Sequence, residues 1–90
     1  MNTNLLVFTK IVKSLRLDTF VSMICNISRQ QVQTYVDQNN VYVNFSVVNN
    51  KTFQVACDMI ISIIRYGCFR INAILPSKSQ YYRITIAKFV

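Results

Sequence analysis

The chain has 90 residues, enough for one domain with a single small hydrophobic core. Hydrophobic residues make up 52% of it, and glycine and proline occur once each, which excludes a disordered or low-complexity chain. Ten Lys and Arg residues against three Asp residues give a formal net charge of +7. That charge favours a polyanionic partner, nucleic acid first and an anionic membrane surface second, over a charge that serves solubility alone.

The first hydrophobic segment, residues 5–15, fits two local structures. A helical stripe would be formed by Leu5, Phe8, Ile11, Val12 and Leu15, and a strand would use Val7, Ile11 and Val12. The segment is not typical of a signal peptide, because no basic stretch precedes its apolar patch and no small-residue cleavage site follows it.

The next stretch, residues 14–44, predicts two short helices followed by a strand. Asp18 is a candidate N-cap for the first helix, because its carboxylate could accept hydrogen bonds from the free amides of the first turn. Helical spacing gives this helix one apolar face, made of Leu17, Phe20, Val21 and Ile24, and we expect it to end near Asn26.

The second helix carries a stronger start signal. Ser28 and Gln31 have the spacing of a capping box, in which hydroxyl and amide side chains satisfy each other's backbone N–H groups. We expect the buried face to consist of Val32, Tyr35 and Val36. Asn39 and Asn40 should end the helix, since asparagine tolerates the left-handed conformation common at helix ends.

The remainder of the chain predicts strands. Val41–Val43 leads to a turn at Asn44–Phe45, and alternating or β-branched runs follow near residues 53–55, 60–64, 69–73 and 84–86. Cys57–Asp58 is predicted to be a turn, and residues 76–80 a polar loop. The predicted fold class is therefore α+β, with a two-helix hairpin packed on a small antiparallel sheet.

The composition argues against catalysis and against a metal or other cofactor. The chain has no histidine, no glutamate and a single glycine, so it offers neither a histidine base nor a glycine-rich phosphate loop. Its cysteines, Cys25, Cys57 and Cys68, are odd in number and lack zinc-ligand spacing. All three fall in apolar contexts typical of buried free thiols, which fits a reducing compartment.

Two arginines beside helix starts are candidate anion contacts. Arg29 occupies the first position of the second helix, where the backbone dipole disfavours a cation but a bound phosphate would reverse that sign. Arg16 precedes the first helix and could face the same anion. The alternative, equally supported by geometry, is that these arginines pair with Asp18 or Asp37 or point into water.

Phe45 is an unusual residue for a hairpin turn, where Gly or Asn is favoured. An exposed aromatic ring there could stack on an unpaired base. The alternative is that Phe45 folds back on the sheet or on residues 5–12.

Five short motifs resemble the S4-like RNA-binding domain, in order and with matching gaps. They are Arg16-Leu17-Asp18, Ser28-Arg29, Val41-x-Val43-Asn44, Val47-Val48 and Asp58-x-Ile60. Further features resemble one subgroup, the last domain of a bacterial cell-division and ribosome-rescue protein and of the photosystem II S4-like protein of cyanobacteria and plastids. These features are Phe45, Ser62, the segments 66–70 and 82–84, and a chain before residue 14 that is extended in those proteins.

The resemblance implies an L-shaped helix-and-sheet motif that holds structured RNA across the second helix and the hairpin. It places residues 1–13 in an N-terminal extension, expected to be a strand, and residues 14–90 in the S4-like domain. The residues that it implies as RNA contacts are Arg16, Ser28, Arg29, Gln30, Gln33, Asn44 and Lys51, to which Phe45 is added as the candidate stacking residue.

The sequence departs from the family at several positions. The family has Gly where Asn39 and Cys57 stand, and Cys57 suggests an altered turn. Relatives carry basic residues near positions 30, 33, 46, 64 and 68, where this chain has Gln30, Gln33, Ser46, Ile64 and Cys68. The resemblance therefore implies a basic face that is thinner than in relatives.

The predicted function is non-enzymatic binding of structured RNA, ribosomal or transfer RNA, in association with the ribosome. A protein-interaction module that kept the fold and lost RNA affinity is the alternative, and an accessory domain of an enzyme is a third. We expect a monomer without membrane insertion. We expect a reducing compartment, either a plastid or a bacterial cytoplasm, and the wealth of Asn and Ile resembles that of proteins encoded by AT-rich genomes such as those of plastids.

Overall fold

The fold is a six-stranded antiparallel sheet with two helices on one face, which confirms the predicted α+β class. A computed structural model of the chain describes residues 5–50 and 52–89. The elements in chain order are β1 (Leu5–Val12), α1 (Leu17–Cys25), α2 (Arg29–Asp37), β2 (Val41–Val43), β3 (Ser46–Val47), β4 (Ile60–Ile63), β5 (Gly67–Pro76), a short 3-10 turn (Lys78–Gln80) and β6 (Tyr82–Phe89).

The strand order is β1-β6-β5-β4-β2-β3, and each neighbouring pair is antiparallel. The period-2 alternation of strands sends one set of side chains towards the helices, including Val41, Val43, Ile61, Ile63, Phe69, Ile71, Ile84 and Ile86. These pack against the apolar faces of the helices, made of Leu17, Phe20, Val21, Val32 and Val36. The core thus fixes the position of both helix starts on the sheet.

The first segment is a strand that pairs with β6 along its whole length, from Leu5 opposite Phe89 to Val12 opposite Tyr82. β1 lies at one edge of the sheet. Its aliphatic side chains Leu5, Leu6, Val7 and Ile11 are each more than half exposed.

The start of α1 differs from the prediction, which was wrong about Asp18. The helix begins at Leu17, Arg16 occupies the N-cap position without a side-chain cap, and Asp18 lies inside the first turn, where it is buried. The reason is tertiary: Leu17 is fully buried and its N–H donates to the Phe53 carbonyl at 2.7 Å, which fixes the helix start one residue before Asp18. The helix ends at Asn26, as predicted, and Asn26 takes the left-handed conformation.

The limits of α2 confirm the sequence prediction. Its C-terminus is closed by bonds from the Asn39 N–H to Val36 and from the Asn40 N–H to Tyr35, with Asn39 left-handed at φ 60°. This is the bonding pattern of the Schellman motif, in which glycine is the usual left-handed residue.

Two further predictions are corrected. Residues 53–55 form no regular strand and contribute a single bridge between Gln54 and Arg16, because the partner available there is the loop before α1. Cys57 is exposed rather than buried, because it lies in the turn before β4, where Asp58 takes the left-handed conformation.

Candidate nucleic-acid interface

Arg16 is held by an ion pair with Asp18. Arg16 Nε donates to Asp18 Oδ1 at 3.1 Å and Nη2 donates to Oδ2 at 2.9 Å, while the Thr19 N–H donates to Oδ1 at 2.8 Å. The Asp18 side chain is 4% exposed and the Arg16 side chain 35%. Arg16 therefore neutralises a buried carboxylate first, and only its remaining edge faces solvent.

The start of α2 is built by the predicted capping box. The Ser28 hydroxyl accepts from the Gln31 N–H at 3.1 Å, and Gln31 Oε1 accepts from the Ser28 N–H at 3.0 Å. Ser28 is exposed, but its hydroxyl is already engaged in the cap. Its structural role is to cap the first turn of α2, which is exposed to solvent.

Arg29 is the first residue of α2 and is exposed. Its Nη2 lies 3.4 Å from the Thr19 hydroxyl, a long contact that places the guanidinium across the junction of the two helices. Among residues 5–50 and 52–89 the ion pairs are Arg16–Asp18 and Arg70–Asp58, so Arg29 has no carboxylate partner there. Its alternative partner Asp37 instead accepts a bond from Gln33.

A shallow groove of about 290 Å³ runs beside Arg29, between the end of β1 and the two helices. Thr19 and Ser22 contribute hydroxyl groups to it, and Lys13 contributes a second cation. Sequence reasoning overlooked Lys13, which belongs to no motif. Its position three residues before Arg16 was the only available signal.

The two α2 glutamines predicted as RNA contacts, Gln30 and Gln33, differ in exposure and in bonding. Gln33 Nε2 donates to Asp37 Oδ1 at 2.6 Å, one helical turn further on, and is partly buried. Gln30 is exposed, and its backbone carbonyl accepts from the Thr34 hydroxyl at 3.3 Å. Of the two, Gln30 is the better placed for an added contact.

The hairpin tip presents an aromatic ring to solvent. Asn44 and Phe45 have φ values of 51° and 70°, which is the backbone of the tight turns that suit hairpins. The Asn44 N–H donates to the Ile60 carbonyl at 2.8 Å and Asn44 Oδ1 accepts from the Ile60 N–H at 3.0 Å, so Asn44 anchors the tip.

Phe45 is 73% exposed, which excludes the alternative that it folds back on the sheet. A bulky residue with positive φ is strained by about 1–2 kcal/mol, so this ring is kept at a conformational cost. The remaining predicted contact, Lys51, lies outside the described residues.

The described residues offer neither a metal centre nor a spanning helix. No group of three or more His, Cys, Asp or Glu side chains among them is arranged to hold a metal ion. None of the helices in this part of the chain is long and apolar enough to cross a membrane.

Comparison with known proteins identifies the region that contains both helices and the hairpin. The model of the S4 domain family matches residues 15–60, about half of the chain. No curated protein matches the sequence.

Among solved structures, a crystal structure of a pseudouridylate synthase is similar at a TM-score of 0.56 and 21% identity. The match covers 76% of this chain and 34% of that one, so the chain spans about a third of the enzyme's length. At this level of identity the likeness concerns the fold alone.

Proposed function

Because this chain belongs to the S4 domain family, whose members are RNA-binding modules, we propose that it binds structured RNA through the start of α2 and the hairpin tip. The S4 domain is itself non-catalytic, and we propose that this chain acts without catalysis. Its proposed targets are ribosomal or transfer RNA in the context of the ribosome.

The observation that carries the proposal is the exposed guanidinium of Arg29 at the first turn of α2, which pairs with no carboxylate of residues 5–50 and 52–89. The first N–H groups of a helix and its dipole attract a phosphate, and an arginine there adds charge-assisted hydrogen bonds. Thr19 is close enough to orient this guanidinium. Phosphate contacts would supply position and affinity, and the shape of the RNA would supply selectivity.

The other proposed contacts have supporting roles. Gln30 follows Arg29 on the exposed first turn of α2, and Arg16 keeps a partly exposed edge at the start of α1. Ser28 caps the first turn of α2, and Phe45 offers a stacking surface at the hairpin tip. Gln33, Asn44 and Lys51 remain proposed contacts, the first two through atoms not used in the bonds given above.

Arg29→Ala tests the proposal in a gel-shift titration with a labelled RNA stem-loop. We expect affinity to fall at least about tenfold and the slope of log K against log salt to fall by about 1, because one phosphate contact is lost. Thermal unfolding should be unchanged, since Arg29 is exposed and has no ion pair among the described residues.

Arg70→Ala is the matched control. It removes the same charge from the opposite face of the sheet, next to the exposed Asp58, and should leave RNA affinity unchanged. Equal losses in both variants would indicate that only net charge matters, and an unchanged Arg29→Ala affinity would refute the assigned site.

A protein-interaction module is the second candidate, favoured by the edge strand β1. Its exposed Leu5, Leu6, Val7 and Ile11 lie on a strand whose outer edge has no neighbour in the described sheet, a surface to which a strand of another chain could add. Negligible RNA binding at low salt by the wild-type chain, with self-association or partner binding abolished by Val7→Lys, would favour this candidate.

The finer relationship and the compartment are also proposals. The subgroup features around Phe45 and residues 66–70 support kinship with the last domain of the ribosome-rescue and photosystem II S4-like proteins. The free cysteines support a reducing compartment, either plastid or bacterial cytoplasm.

A further inference from the structure

A second groove shares one lining residue, Lys13, with the groove beside Arg29. The second groove, here called the loop groove, lies along the β5–β6 connection and includes Ser77, Gln80 and Tyr81. The strand register explains the junction. Val12 pairs with Tyr82, which pairs with Pro76. The end of β1, the end of β5 and the start of β6 therefore lie at the same level of the sheet, and their loops leave it side by side.

Cations lie along both grooves, and no carboxylate of the described residues lines either of them. Arg29 lines the first groove, Lys13 lines both, and Lys78 is exposed on the connection that forms the second. A carboxylate-free line of cations is suited to successive phosphates of a polynucleotide backbone.

The loop groove also holds an aromatic ring in a fixed turn. The Ser77 N–H donates to the Tyr81 carbonyl at 2.8 Å, and the Tyr81 N–H donates to the Lys78 carbonyl at 3.2 Å. Between these bonds Ser79 and Gln80 both have left-handed backbones, at φ 58° and 67°, which non-glycine residues adopt at a cost. Strained turns of this kind are common at binding sites, because the surrounding bonds preset the position of a contact residue.

We propose that the loop groove is a second RNA subsite, which takes a single-stranded stretch continuing from the structured RNA at the start of α2. Phosphates of that stretch contact Lys13 and Lys78, and a base stacks on Tyr81, the combination by which single strands are held without sequence preference. The subsite rests on the proposed function. All the residues that line the loop groove, Lys13 included, lie outside the 15–60 region that the family model matches.

Two RNA probes test the subsite: a labelled stem-loop, and the same stem-loop with a single-stranded tail. For the wild-type chain we expect the tail to raise affinity about tenfold, from one stacked base and its phosphates. Lys78→Ala and Tyr81→Ala should each abolish most of the increase in affinity that the tail provides, and change affinity for the tailless stem-loop by no more than about twofold. Tyr81→Phe keeps the aromatic ring and should preserve the increase.

Lys88→Ala is the matched control, because it removes the same charge near the opposite end of β6. Thermal unfolding of each variant establishes that the fold is intact. The subsite would be overturned, and the proposed function would stand, if the tail added nothing to wild-type affinity. The same conclusion would follow if the tail still raised affinity in both the Lys78→Ala and the Tyr81→Ala variants. Failure of the wild-type chain to bind either probe would overturn both.

Discussion

Arg16→Ala should destabilise the fold far more than an exposed arginine substitution can. The Arg16–Asp18 pair is bidentate, and its carboxylate is 4% exposed. Removing the guanidinium leaves Asp18 Oδ1 with the Thr19 N–H and removes the donor to Oδ2. Asp18 would then be a charged, almost completely buried group that has lost two of its three hydrogen bonds.

The magnitude follows from the burial of the two partners. Breaking a fully buried ion pair costs about 3–5 kcal/mol, because the surviving charge is neither solvated nor paired. The Arg16 side chain is 35% exposed, so water can reach part of the space that it leaves. We therefore expect a loss of about 2–3 kcal/mol, which for a chain of this size lowers Tm by roughly 10–20 °C.

Urea unfolding followed by far-UV circular dichroism measures this loss, and Arg70→Ala is the control. Arg70 makes a 3.0 Å contact with Asp58, but that carboxylate is 71% exposed, so its loss should cost less than about 1 kcal/mol. A second experiment makes Arg16→Ala in an Asp18→Asn background, where no buried charge remains. The loss in free energy of unfolding caused by Arg16→Ala should then be smaller than in the wild-type chain. This explanation would be refuted if Arg16→Ala and Arg70→Ala lowered the free energy of unfolding equally. It would also be refuted if Arg16→Ala lowered it by the same amount in the Asp18→Asn background as in the wild-type chain.

Three further predictions use local features. Ser28→Ala should cost about 1 kcal/mol in urea unfolding, because the Gln31 N–H loses its cap, whereas Ser28→Thr should cost little. Phe45→Gly should raise the free energy of unfolding by up to about 1 kcal/mol as left-handed strain is relieved, yet weaken stem-loop binding severalfold; weaker folding would contradict it. Burial raises the pKa of the Cys25 thiol to about 11, against the opposing charge of Lys88, so at pH 8 iodoacetamide should label the exposed Cys57 and spare Cys25 until the chain unfolds.

The parts of the fold that the sequence predicted correctly are those fixed by neighbours a few residues apart. The Ser28–Gln31 capping box and the left-handed Asn39 depend on bonds that span three to five residues, so the pattern alone contains the information. The turn at Asn44–Phe45 was likewise signalled by the valine runs on both sides. The family resemblance then supplied the order of the pieces.

The prediction failed where distant segments decide the outcome. Asp18 has the chemistry of an N-cap, but the bond from Leu17 to Phe53 shifts the helix start and turns Asp18 into the buried partner of Arg16. The hydrophobic pattern of residues 5–15 fitted two structures, because a strand at the sheet edge keeps aliphatic side chains on its exposed side. Lys13 joins two grooves only through the register of three strands, which no local pattern contains.

The uncharged Gln30 and Gln33 on α2 do not by themselves predict weak RNA binding. A lysine or arginine at position 33 would lie one helical turn from Asp37 and form a pair with it, as Gln33 does through its amide. Such a cation would be partly neutralised before any phosphate arrived. Arg29 and Lys13 line a groove without an acidic residue, so their charge is available to an anion. Affinity in this chain should therefore depend on the start of α2 and the adjoining loops, and less on the outer face of the helix.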